Sequence, residues 1–331
     1  MISYLAISIV ILISFFVTLL AIKRWIKAAK KIGMEGYDMN KISKPKVVES
    51  GGVCVIFGIS VAILLFIFLE IFYFNIKVNL LQVFALLSSI LLAGLIGFID
   101  DVLGWKRGLK QWQKPILTIP ATIPLIVVSA GSSNMLLPFL GIVNFGIIYP
   151  LLIIPIGVIG ATNGFNMLAG YNGLEAGMGV IILSTLGIIA YNSGIIWLSI
   201  LIFSCVSALL AFLIFNWYPA KIFPGNSLTY VTGAMIAAFA ILGDMEKIAI
   251  ILFAPYFLTF ILKSRKRFKP ESFAKVNKDG SLSKPYKKFY DVAHLSLSIL
   301  SKFKKKVYEK DVVLFILNIE ILIALIVLLT L

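Results

Sequence analysis

The sequence predicts an all-α polytopic membrane protein, with about ten transmembrane helices, long cytoplasmic loops and both termini outside. Three observations predict it. Of 331 residues, 60% are hydrophobic and the mean hydropathy is +1.02, well above the roughly 45–50% apolar content of soluble domains. Apolar windows approaching the ~20 residues that cross a bilayer recur along the whole chain. Nearly all basic residues fall on alternate connectors between those windows.

The windows lie near 3–22, 51–73, 78–99, 115–130, 147–162, 178–192, 195–214, 228–242, 248–262 and 312–331. Each run is continuously apolar rather than alternating, so helices rather than barrel strands satisfy the backbone. Pro120, Pro124 and Pro155 interrupt the fourth and fifth windows. The first reads as a retained span rather than a cleaved leader, because no basic stretch precedes it and Lys23, Arg24 and Lys27 follow it. Residues 1–331 therefore form a single membrane-embedded domain.

The connectors 23–50, 100–114, 163–177, 216–227 and 263–311 share one side and carry 28 of the 30 Lys and Arg; the other side keeps only Lys77 and Lys247. By the positive-inside rule that side is cytoplasmic. The net charge of +15 thus reports topology and does not call for nucleic acid. Contact with anionic headgroups or an anionic substrate would be an addition to it. Cys54 and Cys205 fall inside spans, and the single histidine, His294, rules out a His-based metal site.

The outer connectors are short, apart from the uncharged 131–146, so the cytoplasmic loops are the catalytic candidates. In the last loop, Asp279-Gly280 between short flanks is a hairpin signal. Beyond it, Phe289, Val292, Leu295, Ile299, Leu300, Phe303 and Val307 recur at helical spacing among lysines. That pattern suits a helix lying on the membrane or one packed on the spans.

The chain has only fifteen carboxylates, so they can be sorted. Glu70 and Glu320 lie within spans, and Asp244 and Glu246 lie outside. Glu271, Asp279, Asp291, Glu309 and Asp311 sit among lysines and read as solvated. Glu35, Asp38, Glu49, Asp100, Asp101 and Glu175 remain for a site. Asp100 and Asp101 are adjacent at a membrane boundary, where mutual repulsion and desolvation are costly. A divalent cation with phosphate ligands would offset that cost, and Lys106, Arg107, Lys110 and Lys114 follow closely. The run from Asn163 to Gly177 holds Asn163, Asn166, Asn172 and Glu175 with four glycines and no Lys or Arg. Its amides donate and accept, which suits a nucleobase, a sugar or phosphate oxygens. A re-entrant glycine turn with capping Asn residues is the plain alternative.

Five motifs in order resemble the polyprenyl-phosphate N-acetylhexosamine-1-phosphate transferases (glycosyltransferase family 4 type). They are Gly36 to Lys41 with Glu49 to Gly52, Gly97 to Leu103, Asn163 to Gly177, Asn216 to Ala220, and Phe223 to Asn226. Ala169 and Asn172 match the UDP-GlcNAc–dolichyl-phosphate branch of eukaryotes and archaea rather than the Asp-rich bacterial spelling, and Arg265, Lys266 and Arg267 stand where that branch has Arg-His-Arg. The archaeal members are the nearer comparison.

The resemblance implies transfer of GlcNAc-1-phosphate, or a related N-acetylhexosamine-1-phosphate, from the UDP-sugar to dolichyl or polyprenyl phosphate, releasing UMP. This would be the first membrane step of N-glycan or surface glycan assembly. It implies Asp100, Asp101 and Lys110 as catalytic, and Asn166, Asn226 and Asp101 around Mg²⁺, with Mn²⁺ as an alternative. Met39, Glu49, Asn163, Gly170, Asn172, Glu175, Phe223, Arg265, Lys266 and Arg267 would bind substrate. The family has Gly-Asp where this chain has Gly225-Asn226, so its metal site carries one fewer charge. Expected partners are the UDP-sugar, the lipid phosphate and the bilayer, with a homodimer allowed and no nucleic acid. The expected location is the cell membrane, or the endoplasmic reticulum membrane in a eukaryote. A flippase or lipid-linked sugar transporter without transferase activity is the competing class, but it would place ionisable residues along a midplane path.

Overall fold

A computed structural model describes residues 4–74, 79–104, 108–137 and 141–330. Lys77, Lys106 and Arg107 of the charge pattern lie outside the described residues. The long helices are α1 (Tyr4–Lys31), α2 (Gly52–Leu69), α3 (Leu80–Leu103), α7 (Leu174–Asn192), α8 (Ile196–Asn216), α9 (Gly225–Leu242) and α13 (Glu309–Thr330). Among the described residues, these seven are long and apolar enough to cross a membrane.

The remaining apolar windows are broken, and proline explains the breaks. Without an amide hydrogen, and with a ring that crowds the preceding turn, proline ends or bends a helix. Pro115, Pro120 and Pro124 divide the fourth window into α4 (Gln113–Leu117), a single 3₁₀ turn (Ile119–Thr122) and α5 (Ile123–Val127). The fifth begins as a wide π turn at Tyr149–Ile153, before Pro155, and continues as α6 (Ile154–Phe165). The ninth, expected as one span, is α10 (Glu246–Leu252) and α11 (Ala254–Ser264), bent by 58° just before Pro255.

Helix α9 is the axis of the bundle: every residue from Ser227 to Leu242 is buried. A helix surrounded on all sides by protein must satisfy its polar side chains internally. Thr232 does so by donating to the Leu228 carbonyl at 2.8 Å. Helices α3 and α9 approach closely through Gly97, where a Cβ would stand 2.4 Å from the Asn226 carbonyl oxygen.

Short hairpins organise the loops. Strands β1 (Glu35–Tyr37) and β2 (Lys46–Val48) pair antiparallel, with Glu35 opposite Val48. Phe223 N–H then donates to the Val48 carbonyl at 2.7 Å, while Gly51 and Gly52 N–H donate to Phe223 and Pro224 carbonyls at 2.9 and 3.0 Å. The first loop is thereby stitched to the loop before α9. The uncharged 131–146 segment carries β3 (Asn134–Leu137) and β4 (Gly141–Asn144). The Asp279-Gly280 signal is met by β5 (Lys275–Val276) and β6 (Leu282–Ser283), with Gly280 at φ +80°.

The amphipathic segment is α12 (Val292–Phe303), which lies against α11 and α13 and buries Val292, Ala293 and Leu297. Of the apolar stripe read from sequence, Val292 and Val307 are buried against protein while Phe303 is exposed. Two carboxylates read as solvated are not: Asp291 is 0% and Glu309 3% exposed. Asp291 caps α12 by accepting from Ala293 N–H at 2.8 Å and pairs with Lys263 at 3.1 Å. Nearby lysines gave the impression of a wet acid, yet one of them, the half-buried Lys263, is its partner.

The α3–α9 contact leads to a stability prediction. Gly97→Ala should lower thermal stability in detergent by about 1–3 kcal/mol, since the methyl meets backbone that cannot swing away. Gly157→Ala on α6, with nothing within 4 Å of its Cβ, should leave it unchanged or slightly raised. Equal melting temperatures for the two variants would refute the close-approach argument.

Candidate active site

The loops meet in a cleft of about 1040 Å³ at one end of the bundle. Its walls come from the ends of α1 and α3, the β1–β2 loop, the 166–175 turn, the 216–229 segment and Phe273.

Asp101 is built in by α9. The first amides of a helix have no partner within it, and Asp101 supplies one. Its carboxylate accepts from Asn226 N–H at 2.5 Å and Ser227 N–H at 3.1 Å, an anion seated at a helix N-terminus. Gly225 makes this approach feasible, because a Cβ there would lie 2.3 Å from Asp101 Oδ2, and its φ is +69°. Asp100 is held from three sides. Oδ1 accepts from Leu109 N–H at 2.7 Å, while Oδ2 receives Lys114 Nζ at 2.8 Å and Asn226 Nδ2 at 2.9 Å.

Among the described residues, the cation paired with Asp100 is Lys114. Lys110 lines the cleft and is exposed, and its backbone N–H donates to Gln113 Oε1 at 2.8 Å. Spacing alone could not rank the two: Lys114 is brought to Asp100 by the turn at 108–113 and the start of α4.

The glycine- and asparagine-rich run also lines the cleft. Gly170 and Gly173 have φ +104° and +85°, values that favour glycine. Gly170 N–H donates to Glu175 Oε1 at 2.8 Å, and Gly170 O accepts from Asn40 Nδ2 at 2.9 Å. Gly173 N–H donates to Asn216 Oδ1 at 3.1 Å. Asn166 accepts from the Thr229 hydroxyl at 3.0 Å, and Asn172 donates through Nδ2 to Asp38 Oδ2 at 3.0 Å.

Of the residues singled out from sequence, Met39, Glu49, Asp100, Asp101, Lys110, Asn166, Gly170, Asn172, Glu175, Phe223 and Asn226 all line the cleft. Asn163 does not; its Nδ2 is spent on Thr118 Oγ1 at 3.1 Å and the Ile159 carbonyl at 2.9 Å, tying α6 to its neighbour. Arg265, Lys266 and Arg267 are exposed beyond α11 and outside the cleft lining. The loop's inner contribution is Phe273, which stands against Gly170.

The structure adds Asn40, Lys41, Asn216 and Glu309, to which the sequence pattern assigned no role, and gives Asp38, already a candidate carboxylate, a partner in Asn172. Asn40, Lys41 and Asn216 were visible as members of quoted motifs. Glu309, far along the chain among lysines, carried no signal.

Among the described residues, no three His, Cys, Asp or Glu side chains gather as a ready metal site. The donors facing the cleft are instead hard oxygens: two adjacent carboxylates with the amides of Asn166 and Asn226. That set fits a cation which takes one or two carboxylates and completes its shell with water and phosphate. With Lys114 and Lys110 nearby, the cleft can hold phosphate oxygens beside carboxylates.

Comparison with known proteins agrees with this geometry. The glycosyl transferase family 4 profile matches residues 83–244, which takes in α3, the aspartate pair, the 163–177 run and α9. A Saccharolobus solfataricus protein, provisionally named a UDP-N-acetylglucosamine–dolichyl-phosphate N-acetylglucosaminephosphotransferase, is 39% identical over 97% of this chain and 96% of its own. A Dictyostelium discoideum protein of that name is 31% identical over 69% of this chain and 64% of its own. A Streptococcus agalactiae phospho-N-acetylmuramoyl-pentapeptide-transferase is 34% identical over 69% and 70%. The chain belongs to glycosyl transferase family 4.

Glu49 adds a pH effect. Burial, then the neighbouring Asp101, push its carboxyl above the usual value of 4.5. The folded state therefore holds this proton more tightly than the unfolded chain, so stability is full below pH 4.5 and falls as pH rises through the raised value. Glu49→Gln should raise the melting temperature at pH 7.5 and make no difference near pH 4. A variant no more stable than wild type at pH 7.5 would contradict that assignment.

Proposed function

We propose that the chain transfers N-acetylglucosamine 1-phosphate from UDP-GlcNAc to dolichyl or a related polyprenyl phosphate, releasing UMP. The observation that carries this reading is the cleft itself. Paired aspartates, two lysines and an amide-rich glycine turn line one cleft, within a chain 39% identical over nearly its full length to a relative named for that reaction. A transporter reading has less support: the paired aspartates, Lys110, Lys114 and the amide-rich turn all line one cleft, whereas the mid-span carboxylate Glu320 lies outside its lining.

In the reaction an oxygen of the lipid phosphate forms a bond to the sugar-bearing phosphorus, and the bond from that phosphorus to the bridging oxygen of UMP breaks. Both reactants are anionic, so their mutual repulsion must be offset while the oxygens are held in line. Lys114 and Lys110 supply positive charge to the phosphates. Asp100 and Asp101 hold Lys114 and the start of α9 in place. The amide and backbone groups of Gly170 and Asn172, with Met39, Glu49 and Phe223, frame the uridine. Asp100 already accepts from three donors, which makes it a poor nucleophile. The reading is therefore a single displacement rather than an aspartyl-phosphate intermediate.

Mg²⁺, or Mn²⁺, would be held by Asp101 with Asn166 and Asn226 and would neutralise phosphate charge. Arg265, Lys266 and Arg267 would serve a UDP-sugar only if their loop moved toward the cleft. The seven long helices, the bent α10–α11 pair and the two broken segments Gln113–Val127 and Tyr149–Phe165 would give ten crossings. The basic loops and the cleft would then face the cytoplasm and both termini the outside.

Purified protein given dolichyl phosphate, UDP-GlcNAc and Mg²⁺ should release UMP, and excess EDTA should stop it. No release with any of several UDP-sugars would end the proposal. Asp101→Asn should cut turnover at least about a hundredfold while the protein still purifies as a folded species. Asn226→Asp, which adds a carboxylate, should lower the Mg²⁺ concentration for half-maximal rate. An unchanged requirement would remove position 226 from the metal.

A further inference from the structure

We propose that Glu309, at the first turn of the last long helix, is a positioning residue for the donor nucleotide, closing a ring of buried polar contacts that fixes Asn172. The inference rests on the proposed binding of a UDP-sugar in the cleft.

The ring is complete within the described residues. Asn172 N–H donates to Glu309 Oε1 at 2.8 Å, and its side-chain Nδ2 donates to Asp38 Oδ2 at 3.0 Å. Lys41 Nζ pairs with the same Asp38 oxygen at 3.2 Å and with Glu309 Oε2. Asp38 is 4%, Asn172 5% and Glu309 3% exposed. The Tyr218 ring lies under both Lys41 Nζ, at 4.1 Å, and Lys310 Nζ, at 4.8 Å. Four distant parts of the chain thereby converge on Asn172: the first loop, the glycine turn, the segment before α9, and α13.

Stability alone is a poor reason for such a ring. Two carboxylates share one lysine away from water, and a buried ion pair seldom outperforms well-packed apolar side chains. Its clear effect is to fix the orientation of one amide. Asn172 has its backbone N–H and one side-chain hydrogen committed, leaving Oδ1 as acceptor and the second Nδ2 hydrogen as donor. An acceptor beside a donor is complementary to the N–H and C=O edge of a pyrimidine dione such as uracil. Turning that amide freely would cost binding of the nucleotide, not the chemistry at phosphorus. The ring also ties α13 to the cleft, although α13 itself contributes no residue to the cleft lining.

The test uses the full-length protein in detergent and reads two things. In Glu309→Gln, KM for UDP-GlcNAc should rise about tenfold, as for loss of a hydrogen bond to a charged group. The kcat and the KM for dolichyl phosphate should stay within about twofold. Lys41→Met should act in the same direction, and the double variant should be no worse than the poorer single by more than about twofold, because the ring acts as a unit. Independently of activity, hydrogen–deuterium exchange of the 168–174 segment should be faster in Glu309→Gln than in wild type, without ligand. A lowered kcat with unchanged KM, or unchanged exchange in that segment, overturns the proposal. If Glu309→Gln does not fold, Lys41→Met is judged by the same two readouts. If wild type releases no UMP, the proposed function falls, and the exchange measurement alone decides whether the ring fixes Asn172.

Discussion

The structure depends on how the N-terminus of α9 is satisfied. This helix is buried from Ser227 onward, its first amides have no partner within it, and an unpaired buried amide is costly. Asp101 meets them from α3. That contact locks the two helices, requires glycine at Gly225 and Gly97, and places Asp100 next door. The same helix end then orients Asn226 across to Asp100. Fold and site share one constraint: the residues that seat α9 are those that carry the candidate chemistry.

Around that point the cleft is assembled from loops by contacts that span the chain. The β1–β2 loop is bonded to the segment before α9. Asn40 bridges Gly170 to Ala274 N–H, and Lys263 joins the Met167 carbonyl to Ser272 and Asp291. These loops hold little regular secondary structure apart from short hairpins and α12, so contacts between them set their shape. Buried charge supplies part of the rigidity, with lysines compensating Asp38, Asp100, Asp291 and Glu309, while backbone amides hold Asp101 and Glu175. The same arrangement suits an anionic donor, since Lys114 is positioned by Asp100 before any phosphate arrives.

Much of this was legible in the sequence because it is local. Continuous apolar runs, the one-sided distribution of lysines, the Asp-Gly turn and the adjacent aspartates are read from neighbouring residues. What escaped was relational. Lys110 and Lys114 are four residues apart, and only the path of the turn after α3 decides which one reaches Asp100. Asn163 and Asn166 look alike in a motif, yet one is spent inside the bundle and the other faces the cleft. Glu309 and Asp291 stood among lysines and read as wet, because charge in sequence does not distinguish a solvated tail from a buried pair. The helix breaks were half visible: Pro120, Pro124 and Pro155 stood out, whereas the apolar run over 248–262 hid the bend at Pro255.

The central claim is that one cleft holds the donor with its diphosphate at the Asp100–Lys114 wall and its base at the Gly170–Asn172 turn. An experimental structure of the full chain with UDP-GlcNAc and Mg²⁺ tests this most directly. The account predicts density for the diphosphate beside Lys114 and the aspartate pair, and the uracil against Asn172. A nucleotide bound anywhere else, or one reversed so that the uracil meets Lys114, would contradict it.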